Sequence, residues 1–434
     1  MTVDAIACET LVRVLTGLSE YIVLHASELN NELVVEVIAK RSEAPCPGCG
    51  EFSSRLKSVR TQIVRDVPSA GRRCTLTVHK RSFRCVAAGC SRRSFTQHTN
   101  EVPALKRVTA RCRELIGRAG KERSTAAVAR EYGVSWSTAW NAVATVASRE
   151  LAARGRRIPA VFGIDETRFT RKQPWLTGTV DLGTSELLAM FCGRTATDLT
   201  TWLDTLTNEE KGQVVAVVID PHAGYRAALR TCLPDTVIVG DRFHFEQHTG
   251  RAVTDVRRRR IWEQQQHRGR KTDPGWRARH DLLRSHDRLT KKGRSRLLRA
   301  MHADTQDPDN PIGELAYAYA ARHNFNLIYQ QATNRQHAHR MLITWYQFIA
   351  EHPIKELIKL ATTISAWENE FLNYFDHRIT NGKTEGRNRT IKATKRTGYG
   401  YRNTTNYTLK CQYQALRITS WTTPPPKPQA ASNA

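Results

Sequence analysis

Val161-Phe-Gly-Ile-Asp-Glu-Thr-Arg-Phe-Thr170 is a strand-like run with an acid in its middle, and Val214-Val-Ala-Val-Val-Ile-Asp220 is a second apolar run closed by an acid. What connects them decides the fold. Trp175–Leu182 and Glu186–Cys192 read as two further strands, joined as a hairpin at Gly183-Thr-Ser185. Asp198 to Asn208 and His222 to Cys232 read as helices, the second stopped by Pro234, and Thr236–Asp241 is another apolar strand. Val214–Asp220 shows no polar alternation, as expected of a parallel strand buried on both faces. Three antiparallel strands followed by parallel ones with helices is the order of an RNase H-like core.

In open sheets of this kind sites lie beyond the strand ends, which is where Asp220 falls. Side chains alternate along a strand, so Glu166 is expected to face away from Asp165, and Asp165 is preferred as the functional acid. Asp241-Arg-Phe-His244 follows the last apolar strand, with its Asp and His three residues apart. Asp241 competes with Asp220 for the second acidic place. Asp220 is preferred because its strand comes first after the hairpin and helix.

The third acid comes much later, in Asn381-Gly-Lys-Thr-Glu-Gly-Arg-Asn-Arg389. Glu385 is the only acid between Asn381 and Arg402, among seven Lys/Arg that include Arg387, Arg389, Lys392, Lys395 and Arg396. On a helix Glu385, Arg389, Lys392 and Arg396 share one face, so one end can reach a metal while the rest follows phosphates. Carboxylates in this arrangement suit divalent cations, and the basic surround suits a phosphate backbone.

Composition supports a polyanionic partner. The 434 residues carry 67 Lys/Arg against 41 Asp/Glu, a net charge of +26, which costs self-repulsion unless a partner such as DNA offsets it. The length predicts two to four domains, and the 40% hydrophobic fraction is enough for ordinary cores. Six of the ten cysteines are solitary, which fits a reducing cytosol. Met1 to Thr10 has no signal-peptide pattern and no membrane-length apolar span occurs, so a cytoplasmic, nucleoid-associated protein is expected. The Pro-rich tail, residues 422–434, is expected to be disordered.

Cys46-Pro-Gly-Cys49-Gly50 has zinc-knuckle spacing, and Cys85 with Cys90 supplies a second pair. Four thiolates complete a structural Zn²⁺ tetrahedron, and the β-like segments between the pairs make the layout a zinc ribbon. Cys74 and His79 are competing ligands. From Arg55 to Arg93 there are eleven Lys/Arg and one acid, so the ribbon is expected to touch DNA.

Ser124 to Val143 then reads as a helix-turn-helix. Ser124 and Ser135 can cap the two helices, Ala129 allows close packing, and Gly133 makes the turn. Val134, Ala139, Trp140 and Val143 face the core, leaving Trp136, Ser137, Thr138 and Asn141 for a major groove. Between His244 and about Leu372 the pattern is helical. It opens on the basic run Arg257-Arg-Arg-Arg260 and carries aromatics that read as core, and its basic face is expected to guide DNA.

Taken together, Cys46-Pro-Gly-Cys49-Gly, Cys85 with Cys90, Gly163-Ile-Asp-Glu166, Asp241-Arg-Phe-His244 and Gly382-Lys-Thr-Glu-Gly-Arg-Asn388, followed by Ile391-Lys-Ala-Thr-Lys-Arg-Thr-Gly-Tyr399, resemble the bacterial insertion-sequence transposases of the ISL-three family. The resemblance runs to about Arg417. It implies a multidomain α+β protein whose RNase H-like DDE core is interrupted by a helical insertion. It implies two Mg²⁺ ions (with Mn²⁺ as an alternative) on Asp165, Asp220 and Glu385, with Asp241 and His244 beside them. It further implies binding to the element's terminal inverted repeats, action on double-stranded end and target DNA, and a homodimer or larger assembly on DNA.

The expected domains are a zinc ribbon over 1–103, a helix-turn-helix over 104–155, the first part of the core over 156–248, a helical insertion over 249–371, and the last part of the core over 372–421. A junction-cutting nuclease of the same fold and a DNA-binding regulator with an inert nuclease half are the rival readings.

Overall fold

The structure is a computed structural model that describes residues 17–169, 175–308 and 310–421. The expectations for the first ten residues and for the tail lie outside these. The chain divides into two compact units, residues 1–156 with 391–434, and residues 157–390.

The first unit opens with β1 (Tyr21–Leu29), β2 (Glu32–Ala39), a short hairpin β3 (Ala44–Pro45) and β4 (Phe52–Ser53), then β5 (Leu56–Ser69), β6 (Arg72–Arg84) and β7 (Ser94–Thr96). The main sheet runs β1-β2-β6-β5, with β7 on β6, and only β2/β6 is parallel. Alternate residues Val35, Val37, Val64, Leu76 and Val78 point into one core, as a half-buried sheet requires. Helices α1 (Ala110–Ala119), α2 (Thr125–Tyr132) and α3 (Trp136–Arg154) follow. Their caps are the expected ones. Ser124 and Ser135 accept from the third residue of their helices, and Gly133 ends α2 in the left-handed region at φ 64°. Ala129, Ala139, Trp140 and Val143 are buried, Trp136, Ser137 and Asn141 are exposed, and Thr138 is half-buried.

In the second unit β8 (Val161–Arg168), β9 (Trp175–Asp181) and β10 (Leu187–Cys192) form an antiparallel set. Helix α4 (Ala196–Leu203) leads towards β11 (Ala216–Ile219), and α5 (Ala223–Cys232) leads to β12 (Val237–Gly240). The sheet order is β10-β9-β8-β11-β12, with β8, β11 and β12 parallel. Every β11 residue is buried, as its unbroken apolar run demands.

Helices α6 (Arg242–Gln265), α7 (Lys291–Asp304), α8 (Leu315–Gln331), α9 (Arg335–Glu351), α10 (Lys355–Ala366) and α11 (Glu368–His377) then intervene before α12 (Gly382–Thr397). Their apolar faces share one core with the sheet, and Tyr319, Phe325, Tyr329, Trp345 and Trp367 lie in it. The chain closes on α13 (Thr404–Ala415), whose Tyr413 and Lys410 hydrogen-bond backbone carbonyls at the end of α1.

The arginine run at 257–260 departs from its expected role as the start of a DNA-facing surface. Arg257 and Arg260 are buried. Arg259 bonds Glu263, Glu314 and Glu356, and Arg260 bonds Glu263, Asp304 and Asp307. The run falls on consecutive positions of a helix, so Arg259 and Arg260 turn to acids inside the unit, Arg257 is buried, and Arg258 alone keeps a well-exposed side chain.

Candidate active site and zinc centre

Asp165 and Asp220 come together because β8 and β11 are adjacent and parallel, with Ile164 paired to Ile219. Each acid is the next residue in its chain. Beyond Ile164 the β11 side of β8 has no partner strand, because β11 ends, while pairing to β9 continues through Arg168. That open edge corrects one expectation. Glu166 does not turn away: Asp165, Glu166 and Asp220 each place a carboxylate oxygen within 4.8 Å of the others. Strict alternation belongs to regular extended backbone, and past Ile164 β8 is paired on the β9 side alone.

A second group shares Asp220. Asp241 directly follows β12 and occupies the N-cap position of α6 without capping it, so its carboxylate is available to other partners. His244 Nδ1 lies 3.0 Å from Asp241 Oδ2 and 2.9 Å from Asp220 Oδ1. Only the Asp241 contact has hydrogen-bond geometry, and Asp220 Oδ1 is left as a buried oxygen with no hydrogen-bond partner. Asp220, Asp241 and His244 also fall within 4.8 Å of one another.

The electrostatics match this crowding. Burial, then the charge of Asp220, raises Asp165 to about 7. Burial also raises Glu166, against a hydrogen bond from Tyr225. For His244 burial opposes the charged form, but Asp220 and Asp241 outweigh it and lift the imidazole to about 10. A divalent cation would relieve the carboxylate repulsion and use the idle Asp220 oxygen, and oxygen donors with one imidazole suit Mg²⁺ or Mn²⁺.

Helix α12 seals the other side. Gly163 makes room for it, since a Cβ there would lie 2.2 Å from both Asn381 Oδ1 and Thr384 Oγ1. Asn388 is buried, donating Nδ2–H to Asp165 Oδ2 at 2.6 Å and accepting from Thr167 Oγ1 at 2.9 Å. Lys383 and Arg387 donate to backbone carbonyls of the β9–β10 turn: Lys383 Nζ to Leu182 at 2.5 Å and Gly183 at 2.8 Å, and Arg387 Nε to Ser185 at 2.9 Å. Arg387, read from sequence as a phosphate contact, therefore spends donors on the turn. Glu385, one turn before Asn388, is 47% exposed and bonds Arg389 at 2.7 Å; it is in neither cluster of potential ligands. Arg389, Lys392 and Arg396 are exposed along the same helix, and Lys395 is half-buried.

Of the residues at this site, sequence reasoning set Glu166 aside and did not single out Asn388 or Tyr225. Asn388 carried a signal, since it lies three residues after Glu385 on the same helical face.

The four thiols Cys46, Cys49, Cys85 and Cys90 converge within 4.8 Å, with Sγ–Sγ separations of 3.9 Å for Cys46–Cys90 and 3.6 Å for Cys49–Cys85. A tetrahedron of ~2.3 Å Zn–S bonds has edges of about 3.8 Å, so these residues fit a structural Zn²⁺ ion. Gly50, at φ 77°, makes the knuckle turn by donating to the Cys46 carbonyl. Cys74 is buried in the core of the β1-β2-β6-β5 sheet and His79 pairs with Glu36, so neither competing ligand joins the cluster.

With this geometry in place, sequence comparison agrees. The family model described as "Transposase", that of the ISL-three family, matches residues 162–411, more than half of the chain. A model described as the zinc-finger of transposase IS204/IS1001/IS1096/IS1165 matches residues 42–90. The transposase for insertion sequence element IS1001 of Bordetella parapertussis is 25% identical over 375 residues, covering 84% of this chain and 87% of that relative. The class is therefore transposase, with a zinc ribbon. More narrowly, the chain belongs to the ISL-three family of insertion-sequence transposases. Among the described residues no helix is long and apolar enough to cross a membrane.

Proposed function

We propose that this chain binds the terminal inverted repeats of an insertion sequence and catalyses Mg²⁺-dependent DNA cleavage and strand transfer at the site built on Asp165 and Asp220. The observation that carries the reading is the position of Asp220. It ends the strand beside β8 and belongs to both ligand groups, an arrangement suited to a pair of divalent ions. The sheet is read as an RNase H-like core, and α2–α3 as a helix-turn-helix whose Trp136, Ser137, Thr138 and Asn141 face the major groove. Arg389, Lys392, Lys395 and Arg396 follow phosphates, positioning the DNA without reading its sequence. Assembly as a dimer or larger complex on DNA follows from the need to bring two ends together, and the place of action is the cytoplasm, where the element's DNA lies.

Divalent ions held at this site would supply charge to activate a water and to neutralise the departing 3′-oxygen. Asp165 and Asp220 hold the ligand positions, and Asn388 fixes the Asp165 carboxylate. Asp241 orients the His244 ring. Glu385 would complete the ligand set on leaving Arg389, which would then meet a phosphate, with Glu166 as the alternative third carboxylate. In the first step water oxygen bonds to the scissile phosphorus and gives up a proton to solvent, the bond to the 3′-oxygen breaks, and that oxygen takes a proton from solvent to leave as the 3′-hydroxyl. In the second the freed 3′-hydroxyl loses its proton to solvent as its oxygen bonds to a target phosphorus, and the target's own 3′-oxygen is displaced and takes up a proton.

The test is cleavage of labelled DNA from the flank of the gene, with Mg²⁺, by wild type, Asp220→Asn and Asp241→Asn. Cutting at a repeat boundary that vanishes in Asp220→Asn supports the reading. Cutting lost only in Asp241→Asn moves the second carboxylate to Asp241. Binding without cutting by any protein favours a DNA-binding regulator.

A further inference from the structure

Beside α3 the first unit holds a cavity of about 530 Å³, walled by the loop before α1, the first turns of α1 and one side of α3. The α3 wall is Thr138, Asn141 and Thr145, so the cavity adjoins the surface assigned to a major groove. Its charge is one-sided. Lys106, Arg107 and Arg113 line it, and its single acid, Glu114, is already held by Arg118 at 2.7 Å and by Arg149 at 2.6 Å.

Arg113 differs from the other arginines of α1. Arg111 pairs with the buried Asp66, and Arg118 pairs with Glu114. Arg113 has no acid beside it among the described residues. Its Nε is shut off from water without a hydrogen-bond partner, and burial lowers the pKa of the guanidinium with no carboxylate to offset it. The residue is only half-buried, and its terminal nitrogens are open to the cavity. Holding a cation partly out of water without a countercharge costs stability, which an anion arriving from outside would offset.

The loop carries a second irregularity. Leu105 is 97% exposed and lies in the left-handed region at φ 59°, where a leucine is strained. The loop is pinned in that shape. Arg65 N–H donates to the Arg107 carbonyl at 2.9 Å, and Gln62 Nε2 donates to the Lys106 carbonyl at 3.0 Å.

We propose that this cavity receives one phosphate of the DNA strand bordering the groove that α3 enters, with Arg113 as its charged partner and Leu105 against the adjoining sugar. Lys106 and Arg107 add charge at the rim. The inference rests on the helix-turn-helix reading and adds a fixed backbone contact that sets the register of α3 on the duplex. A free phosphorylated small molecule carries the same anion, and the two sources are separable by experiment.

The experiment uses the full chain and duplex DNA from the flank of the gene, with affinity measured by fluorescence anisotropy over a range of salt. Arg113→Ala should weaken that duplex and one of unrelated sequence alike, about 10- to 100-fold at low salt. It should also flatten the slope of log affinity against log salt by about 1. Arg113→Lys should keep the slope. Leu105→Ala should weaken binding with the slope unchanged, because it removes no charge. A neutral methylphosphonate moved along each strand should reveal one position that costs wild type affinity and costs Arg113→Ala nothing more. Urea unfolding should find Arg113→Ala as stable as wild type or more so, since the cation it removes has no partner.

A wild-type salt slope in Arg113→Ala, or a loss of affinity that comes with a lower unfolding midpoint and no such methylphosphonate position, would overturn the assignment. Saturable binding of adenosine monophosphate by calorimetry, lost in an Arg113→Ala chain whose DNA slope is unchanged, would give the cavity to a free ligand instead. Ser137→Glu, which puts an acid on the groove-facing side of α3 outside the cavity, tests the underlying reading. Loss of DNA binding in Ser137→Glu but not in Arg113→Ala would overturn the cavity alone, and wild-type binding by both would overturn the helix-turn-helix reading as well.

Discussion

Asn388 of α12 donates to the Asp165 carboxylate of the candidate catalytic cluster across 2.6 Å. Asp165 Oδ1 already accepts the Glu166 N–H at 2.6 Å, so both oxygens are aimed by the protein before any cation arrives. Such outer contacts to metal ligands are worth about 10- to 100-fold in affinity or activity. Asn388→Ala should therefore weaken Mn²⁺ binding, measured by calorimetry, and lower single-turnover cleavage within that range. DNA affinity should stay within about twofold. Asn388→Asp keeps the shape but removes the donor and should do no better than Ala. An Asp variant with wild-type Mn²⁺ affinity would show that the amide only fills space.

Glu166 and Glu385 present a choice of third carboxylate. Glu166 lies in the cluster now, whereas Glu385 is paired with Arg389 on the helix that Asn388 anchors. If Glu385 is recruited when DNA draws Arg389 away, Glu385→Gln should abolish cleavage by about 10³-fold or more, as loss of a transition-state contact does, and Glu166→Gln should cost far less. The reverse order in a cleavage time course would assign the third place to Glu166.

The zinc centre separates four cysteines from the rest. Wild type should carry one zinc per chain by atomic emission. Cys46→Ser, Cys49→Ser, Cys85→Ser and Cys90→Ser should each lose it and lower the thermal midpoint, because structural zinc contributes folding energy directly. Cys74→Ser should keep zinc, since Cys74 sits in the sheet core. Zinc lost from the Cys74 variant alone would mean that the thiol tetrahedron is misassigned.

Much of this was legible because the relevant signals are local. The apolar run Val214–Ile219, the turn at Gly183–Ser185 and the Ser-capped helices at 124 and 135 each depend on neighbours within a few residues, and the strands and helices appear within a few residues of their expected places. Three features were not local. Glu166 lies past the last β8–β11 pair, at Ile164, and its place beside Asp165 and Asp220 shows only in the folded sheet. Asn388 matters through Thr167 and Asp165, more than 200 residues away. The arginines at 257–260 looked like a nucleic-acid surface because their acids lie at 304, 307, 314 and 356, and charge runs carry no record of distant partners.

That arginine hub leads to a test that composition alone would predict wrongly. Arg260 is buried and donates to Asp304 at 2.8 Å, while Asp304 Oδ2 also accepts the Glu314 and Leu315 N–H groups at the start of α8. Arg260→Ala would leave Asp304 buried without its countercharge, and breaking a buried pair from one side costs about 3–5 kcal/mol. Arg258, two residues earlier, is largely exposed and only 3.7 Å from Asp255, so Arg258→Ala should change stability by less than about 0.5 kcal/mol. Urea unfolding of the two variants distinguishes these outcomes. If the run were a DNA surface, both should unfold like wild type and both should lose DNA affinity. If it is a structural hub, the Arg260 variant should unfold at markedly lower urea. The salt dependence of DNA binding by its folded fraction should then match wild type, because the removed charge was never available to a phosphate.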